Sequence, residues 1–318
     1  MADSATHPEA REASVRKPLT DPIVLNRPAR HVAGGLRVTL LNAAGAVLLD
    51  GITACLQRRP LNSSSIILLC ESDWGTRRAD GLETAAELAQ RLNMSFAYMG
   101  AFGIPVGDGT YRSMLGNAIL STSPLTEVRG VAMPMPHPER RPGALHGRVG
   151  TPAGLVVKAR FRNQDLTVGV AHLASHPAPS ARDEQMAAYL AEFPAQGPAI
   201  FGGDLNTTTT DLLSGPAYLK TFGRMLLTPW RFHSPQRYEP LFKRLAAAGL
   251  RIEGVNRMRK PTFTFARAIP PIFRPKLDWL AVRDLNPVSG SARVVPARPS
   301  FFSKRVSDHD FVTVELEL

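Results

Sequence analysis

Short apolar runs recur along the chain, and most of them stop at a polar residue. Leu36 to Asn42 reads as a strand through Val38, Leu40 and Leu41, and Ser65 to Cys70 as a second strand closed by Glu71. Met94 to Met99 and Gly116 to Ser121 are further strands, the latter halted by Ser123-Pro124. Leu155 to Phe161 and Leu166 to His172 form an expected hairpin around Arg162-Asn163-Gln164-Asp165. The run Pro198-Ala199-Ile200-Phe201 stops at Gly202-Gly203-Asp204-Leu205-Asn206, and Leu277 to Val282 and Phe311 to Leu318 complete the strands.

Helical spacing appears in four places. Ala46 to Arg59 sets Val47, Leu48, Ile52, Cys55 and Leu56 on one face, and Asp80 to Leu92 is amphipathic. Ala181 to Phe193 is stopped by Pro194, and Glu239 to Ala248 by Gly249. The glycine-rich stretch Gly100 to Arg112 reads as a loop, and Val128 to Pro152 as proline-broken irregular chain. Many strands with few helices predict an α/β (α+β) fold of two packed sheets flanked by helices, not a doubly wound parallel sheet. With no repeat and no linker, the expected organisation is a polar, flexible leader over 1–34 and one domain over 35–318, the latter with an insertion at 207–276.

Composition agrees with one large core: 44% of the residues are hydrophobic. No apolar run approaches the roughly 20 residues that span a bilayer. The leader has no apolar signal region and carries Asp3, Glu9, Glu12 and Asp21, so a cytoplasmic protein, acting as a monomer, is expected. Cys55 and Cys70 lie within apolar segments and read as core rather than as a disulfide framework.

Charge changes the picture more. The net charge is +11, and residues 207–276 hold 13 Lys and Arg against Asp211, Glu239 and Glu253. The same stretch holds nine of the 22 aromatics, including Tyr218, Phe222, Trp230, Phe232, Phe263 and Phe265. Interleaved basic and aromatic residues suit a phosphate-rich partner with stackable or apolar parts. Nucleic acid fits, and peripheral contact of an anionic membrane, with a phospholipid or phosphoinositide head group as substrate, fits nearly as well. A solvated basic face over a small aromatic core is the plainer reading of the same residues.

Residues of catalytic type recur where the strands end: Asn42, Glu71, His172, Asp204 with Asn206, Asp278, and Asp308 with His309. Each has a structural alternative; Asn42 could cap the helix from Ala46, and Asp204 with Asn206 could simply form a turn. Together they form the inventory of a divalent-metal phosphoesterase. Glu71 and Asp308, helped by Asn42, suit Mg²⁺ or Mn²⁺, which favours hard oxygen donors. Asp204 can take a proton from water, and Asn206 can donate to a non-bridging oxygen. His172 and His309 can bind the phosphoryl group, with His309 kept charged by a carboxylate such as Asp278.

These blocks resemble the endonuclease/exonuclease/phosphatase superfamily, the fold of DNase I. The matching pieces are Leu41-Asn42, Cys70-Glu71, Gly116-Asn117-Ala118-Ile119-Leu120-Ser121, Ala171-His172-Leu173, Gly203-Asp204-Leu205-Asn206, Leu277-Asp278-Trp279 and Ser307-Asp308-His309, in family order. Arg182 and Gln185 resemble the family's usual helix start. The resemblance implies a four-layer α-β-β-α sandwich, a metal bound by Asn42, Glu71 and Asp308, and chemistry carried by His172, Asp204, Asn206, Asp278 and His309. Cys70 stands where the family often has Gln, and Ala171 where Thr is frequent. Tyr111 precedes the Gly116 block, out of place for the Tyr of abasic-site endonucleases, which weighs against DNA repair. A non-catalytic binding module with the same fold is the reading from another class, and the intact set of strand-end charges speaks against it.

Overall fold

The apolar strands assemble into two sheets stacked face to face. A computed structural model describes residues 20–30, 34–106, 111–135, 149–211, 223, 227–264 and 270–318. The first sheet has nine strands. Along it run β1 (Ile23–Leu25), β4 (Ser95–Pro105), β5 (Tyr111–Ser121), β3 (Ser64–Trp74), β2 (Leu36–Gly45), β14 (Phe311–Glu317) and β12 (Asn286–Pro287). β7 (Val149–Gly150) pairs with β4, and β13 (Arg293–Val295) with β14. The second sheet has five strands in the order β11 (Asp278–Arg283), β10 (Ala199–Asp204), β9 (Gln164–His172), β8 (Ala153–Phe161) and β6 (Leu125–Ala132).

Side chains alternate between two cores, which is why the central strands read as nearly continuous apolar runs. Val38, Leu40, Ile66 and Leu68 point between the sheets, against Val157, Val168, Val170 and Ile200. Leu41, Ile67 and Leu69 point outward, beneath α1 (Leu49–Leu56) and α2 (Thr84–Leu92). On the far side, α3 (Pro179–Ala191) and α5 (Leu241–Ala247) pack Met186, Tyr189, Leu241 and Leu245 over the second sheet. A short α4 (Trp230–His233) lies in the connection from β10 to β11. The layers are therefore helix, sheet, sheet, helix, as the resemblance implied.

Each sheet holds one parallel pair, β2 with β3 and β9 with β10. Their carboxyl ends meet at one end of the sandwich. The antiparallel neighbours β11 and β14 begin there.

Several expected boundaries move. The stretch read as a loop after Met99 continues β4 to Pro105, because Gly100 lets β4 lie close to Met114 of β5; a Cβ at Gly100 would stand 2.8 Å from the Met114 sulfur. Within the stretch read as irregular, Val128 to Ala132 belongs to β6, paired with β8. The leader is not wholly free: Ile23–Leu25 pairs with β4, and Asn26 exchanges two hydrogen bonds with the Leu125 backbone. α1 starts at Leu49, three residues later than expected, after a turn over residues 46–48. Of the 207–276 insertion, Tyr218, Phe222 and Phe265 lie outside the described residues, as do His146 and Arg148 of the Val128 to Pro152 stretch, which read equally as loop or as contacts to a substrate phosphate.

Candidate active site

Strand register builds the centre. β10 lies between β9 and β11, and Asp204 is level with His172 on one side and Asp278 on the other. The glycine before it is a steric requirement: a Cβ on Gly203 would sit 1.8 Å from the Ala171 carbonyl oxygen. Asp204 is buried, and its Oδ1 accepts the Asn206 backbone N–H at 3.0 Å. The other oxygen, Oδ2, is the point on which the remaining groups converge.

The first sheet brings two of those groups. β3 does not stop at Glu71; its pairing with β5 breaks between Leu69 and Ser72 and then resumes to Trp74. Glu71 occupies that bulge at φ +52°, which turns its carboxylate toward the end of the sandwich. Asn42, where the β2–β3 pairing breaks three residues before the end of β2, donates from Nδ2 to Glu71 Oε1 at 3.0 Å and to Asp204 Oδ2 at 2.9 Å. Its own Oδ1 accepts the Ala44 N–H. It does not cap α1, so the capping alternative is settled against.

From the second sheet, His172 Nε2 stands 3.6 Å from Asp204 Oδ2 and 3.8 Å from Glu71 Oε1. His309 Nε2 stands 3.7 Å from the same Asp204 oxygen, while its Nδ1 is 2.8 Å from Asp278 Oδ2. Burial works against charge on His309, but Asp278 and then Asp204 outweigh it and raise its pKa to about 10. Burial also pushes Asp278 above the usual carboxylate range, an effect that His309 opposes. At neutral pH the two form a buried ion pair. The Phe263 ring packs on the imidazole, with centroids 4.8 Å apart.

Two further side chains support this pair. Thr262 Oγ1 accepts the backbone N–H groups of both Leu277 and Asp278, fixing the start of β11. It lies 16 residues before Asp278 in an irregular segment, and no local pattern marks it. Ser307 Oγ donates to the Asn42 carbonyl and accepts the His309 N–H, tying β2 to the His309 turn; its signal was its place beside Asp308. Cys70 is a third link. Its sulfur accepts the Asp204 N–H at 3.4 Å and lies 3.6 Å from the Ala171 carbonyl, and burial raises the thiol's pKa well above its ordinary value.

Asn206 also sits at the centre, buried at φ +47°, with Nδ2 donating to the Leu173 carbonyl at 2.8 Å. Asp308 is different. It is exposed, with Ser307 Oγ 3.4 Å from its Oδ1, and it belongs to neither carboxylate-histidine cluster among the described residues. Arg182 and Gln185 act beneath the site. Arg182 makes a wholly buried ion pair with Glu239, and Glu239 accepts the Thr209 N–H just after Asn206. Gln185 accepts the Ala174 N–H and donates to the Pro134 carbonyl.

The two clusters are Glu71, His172 and Asp204, and Asp204, Asp278 and His309, each with its ligand atoms within 4.8 Å of one another. The second is sealed: His309 takes Asp278 Oδ2, while Asp278 Oδ1 is buried without a hydrogen-bond partner. The first is open, with side-chain exposures of 29% for Glu71 and 24% for His172. Carboxylate oxygens at an open rim are the hard donors that Mg²⁺ or Mn²⁺ requires. The residues present therefore fit a divalent ion on the Glu71 side.

A family model described as Endonuclease/Exonuclease/phosphatase family matches residues 38–309. No curated protein sequence matches the chain. Among solved structures, it is similar to an endonuclease/exonuclease/phosphatase from Beutenbergia cavernae, at 21% identity and TM-score 0.56, over 89% of this chain and 71% of that one. It is similar to the catalytic domain of human nocturnin with a bound sulfate, at 16% identity and TM-score 0.56, over 96% of this chain and 99% of that one. A 3'-5' exonuclease from Neisseria meningitidis aligns at 17% identity and TM-score 0.53, over 89% of this chain and all of that one. At these identities the structural matches speak to the fold.

Proposed function

Because the chain belongs to the endonuclease/exonuclease/phosphatase family of phosphoester hydrolases, we propose that it hydrolyses its phosphoester with a divalent cation held by Glu71, whose carboxylate the Asn42 amide braces. The observation that carries this reading is the convergence of Asn42, His172 and His309 on one buried oxygen, Asp204 Oδ2. Asp308 is an exposed carboxylate beside Ser307, which bonds the Asn42 carbonyl, and we assign it to the same cation.

Bound there, Mg²⁺ or Mn²⁺ would neutralise phosphoryl charge and stabilise the departing oxygen. The chain's own residues do the rest. Asp204 orients the attacking water and accepts its proton, held in place by the Asn206 N–H and the Asn42 amide. His309, kept charged by Asp278, donates from Nε2 to a non-bridging oxygen as negative charge builds there. His172, half-buried at the mouth, binds the same group from the other side. Asn206 has given one side-chain N–H to Leu173 and offers its second to the phosphoryl group.

The sequence put nucleic acid first as substrate on the strength of residues 207–276. Much of the described part of that stretch has structural work. Arg231 lies 4.0 Å over the Tyr238 ring, Arg244 pairs with Asp183, and Lys276 is buried 4.4 Å over Trp279. Phe232 and Phe242 are buried as well. Nucleic acid remains a substrate arm of the screen, beside anionic phospholipids.

The test is hydrolysis of bis(p-nitrophenyl) phosphate with Mg²⁺ or Mn²⁺, followed by duplex and single-stranded DNA, RNA, phosphoinositides and sphingomyelin. We expect EDTA to abolish turnover, and His309→Ala and Asp204→Ala each to lower it by roughly 10²–10⁴-fold. Retained turnover in both variants would refute the assignment.

A further inference from the structure

Just before Ser307-Asp308-His309, the chain makes a tight turn that the catalytic reading does not use. The Ser303 N–H donates to the Ser300 carbonyl at 3.2 Å, and the two hydroxyls are 2.6 Å apart. The two residues between them are Phe301 and Phe302, 82% and 95% exposed. Large aromatic side chains left this bare on a globular protein mark a contact surface. They do not sit on a loose loop. At the stem the Val306 N–H donates to the Ala297 carbonyl, and both residues are buried. Asp310 accepts from the Ala297 N–H and from Arg305. Val306 also packs so closely on α1 that a Cβ on Gly51 would lie 2.4 Å from it. The rings therefore stand on a braced base.

Topology decides at which end they stand. The turn precedes β14, so it lies at the end of the sandwich that holds the active site. Other exposed apolar side chains share that end. Leu48, 51% exposed, follows β2. Trp230 and Ile272, 56% and 51% exposed, lie in the β10–β11 connection, held beside the site by the Lys276 N–H to Phe232 carbonyl bond and the His233–Pro271 contact. Cations accompany them: Lys304 is exposed on the turn itself, and Arg77 is exposed just after β3.

We propose that the Phe301-Phe302 turn inserts into the interface of an anionic phospholipid bilayer and presents the active-site mouth to that surface. A convex apolar tip flanked by cations is what such an interface binds, through buried apolar area and attraction to anionic head groups. Nucleic acid fits the tip less well. The two rings stand at 88° to each other, so they cannot both stack on successive bases, whereas a bilayer is indifferent to ring plane. The proposal deepens the phosphoester reading by giving the site a lipid-surface substrate, but docking is measurable without turnover.

Binding is measured by co-sedimentation in EDTA, with vesicles of phosphatidylcholine alone and of phosphatidylcholine mixed with phosphatidylglycerol. The full chain is expected on the anionic vesicles, and F301A/F302A is expected to partition roughly tenfold or more less well, with an unchanged melting temperature. In F302W, tryptophan emission is expected to shift to the blue on adding the anionic vesicles. Absence of the wild-type chain from anionic vesicles, equal binding by F301A/F302A, or no shift in F302W would overturn the proposal. So would an F301A/F302A defect confined to single-stranded DNA binding or to self-association. Because EDTA is present throughout, failure here leaves the hydrolysis reading standing, and failure of hydrolysis leaves docking standing.

Discussion

Glu71 carries the clearest sign that single positions here serve chemistry before stability. A non-glycine residue at φ +52° costs on the order of 1 kcal/mol, and the bulge keeps it because only there does the carboxylate meet Asn42. Glu71→Gly should relieve the strain while losing the donor. Its melting temperature in EDTA should stay close to wild type, and the rise expected of the wild type on adding Mg²⁺ should be missing. A large loss of stability in EDTA would count against this view. A second prediction concerns the buried Asp278–His309 pair. The folded pKa of His309, about 10, lies above its ordinary 6.5, so its stabilising effect is complete below pH 6.5 and is lost as pH rises through 10. Burial lowers Lys276 to about 8, so its effect runs the other way but only above pH 8. Urea unfolding in EDTA should therefore show stability falling between pH 6.5 and 8 by on the order of 1–2 kcal/mol. Asp278→Asn should flatten that slope, and an unchanged slope would argue against the pairing.

Elements show where sequence reading succeeds and where it stops. The strands Leu36–Asn42, Ser65–Cys70, Leu166–His172 and Leu277–Val282 were legible because both faces are buried and the apolar runs are nearly unbroken. The polar residues read at their ends, Asn42, Glu71, His172, Asp204, Asp278 and His309, are brought to one place. What local pattern hides is close approach between strands. Gly100 looks like a loop residue but serves packing inside β4, and Glu71 looks like a strand end but sits in a bulge. Thr262 and the Arg182–Glu239 pair act over distances in sequence that no periodicity reports. Gly203→Ala, with its Cβ driven toward the Ala171 carbonyl, should destabilise by several kcal/mol and be visible as loss of soluble protein. Arg182→Ala strands a buried carboxylate and should cost about 3–5 kcal/mol in urea unfolding. A cost below about 1 kcal/mol would mean that water reaches Glu239.

At the scale of the whole molecule, the active site belongs to neither half of the chain. Asn42 and Glu71 come from the first sheet, His172, Asp204 and Asp278 from the second, and His309 from the turn before β14, the strand that returns to the first sheet beside β2. That return is very late. Thr39 bonds Thr313 across 274 residues of sequence, and until β14 is laid down β2 lacks its outer neighbour. Such long-range closure makes for slow folding. It also couples two events: the strand that gives β2 its outer neighbour is the one that carries the His309 turn onto Asn42, so a chain shortened before Ser307 would lose sheet closure and the histidine together.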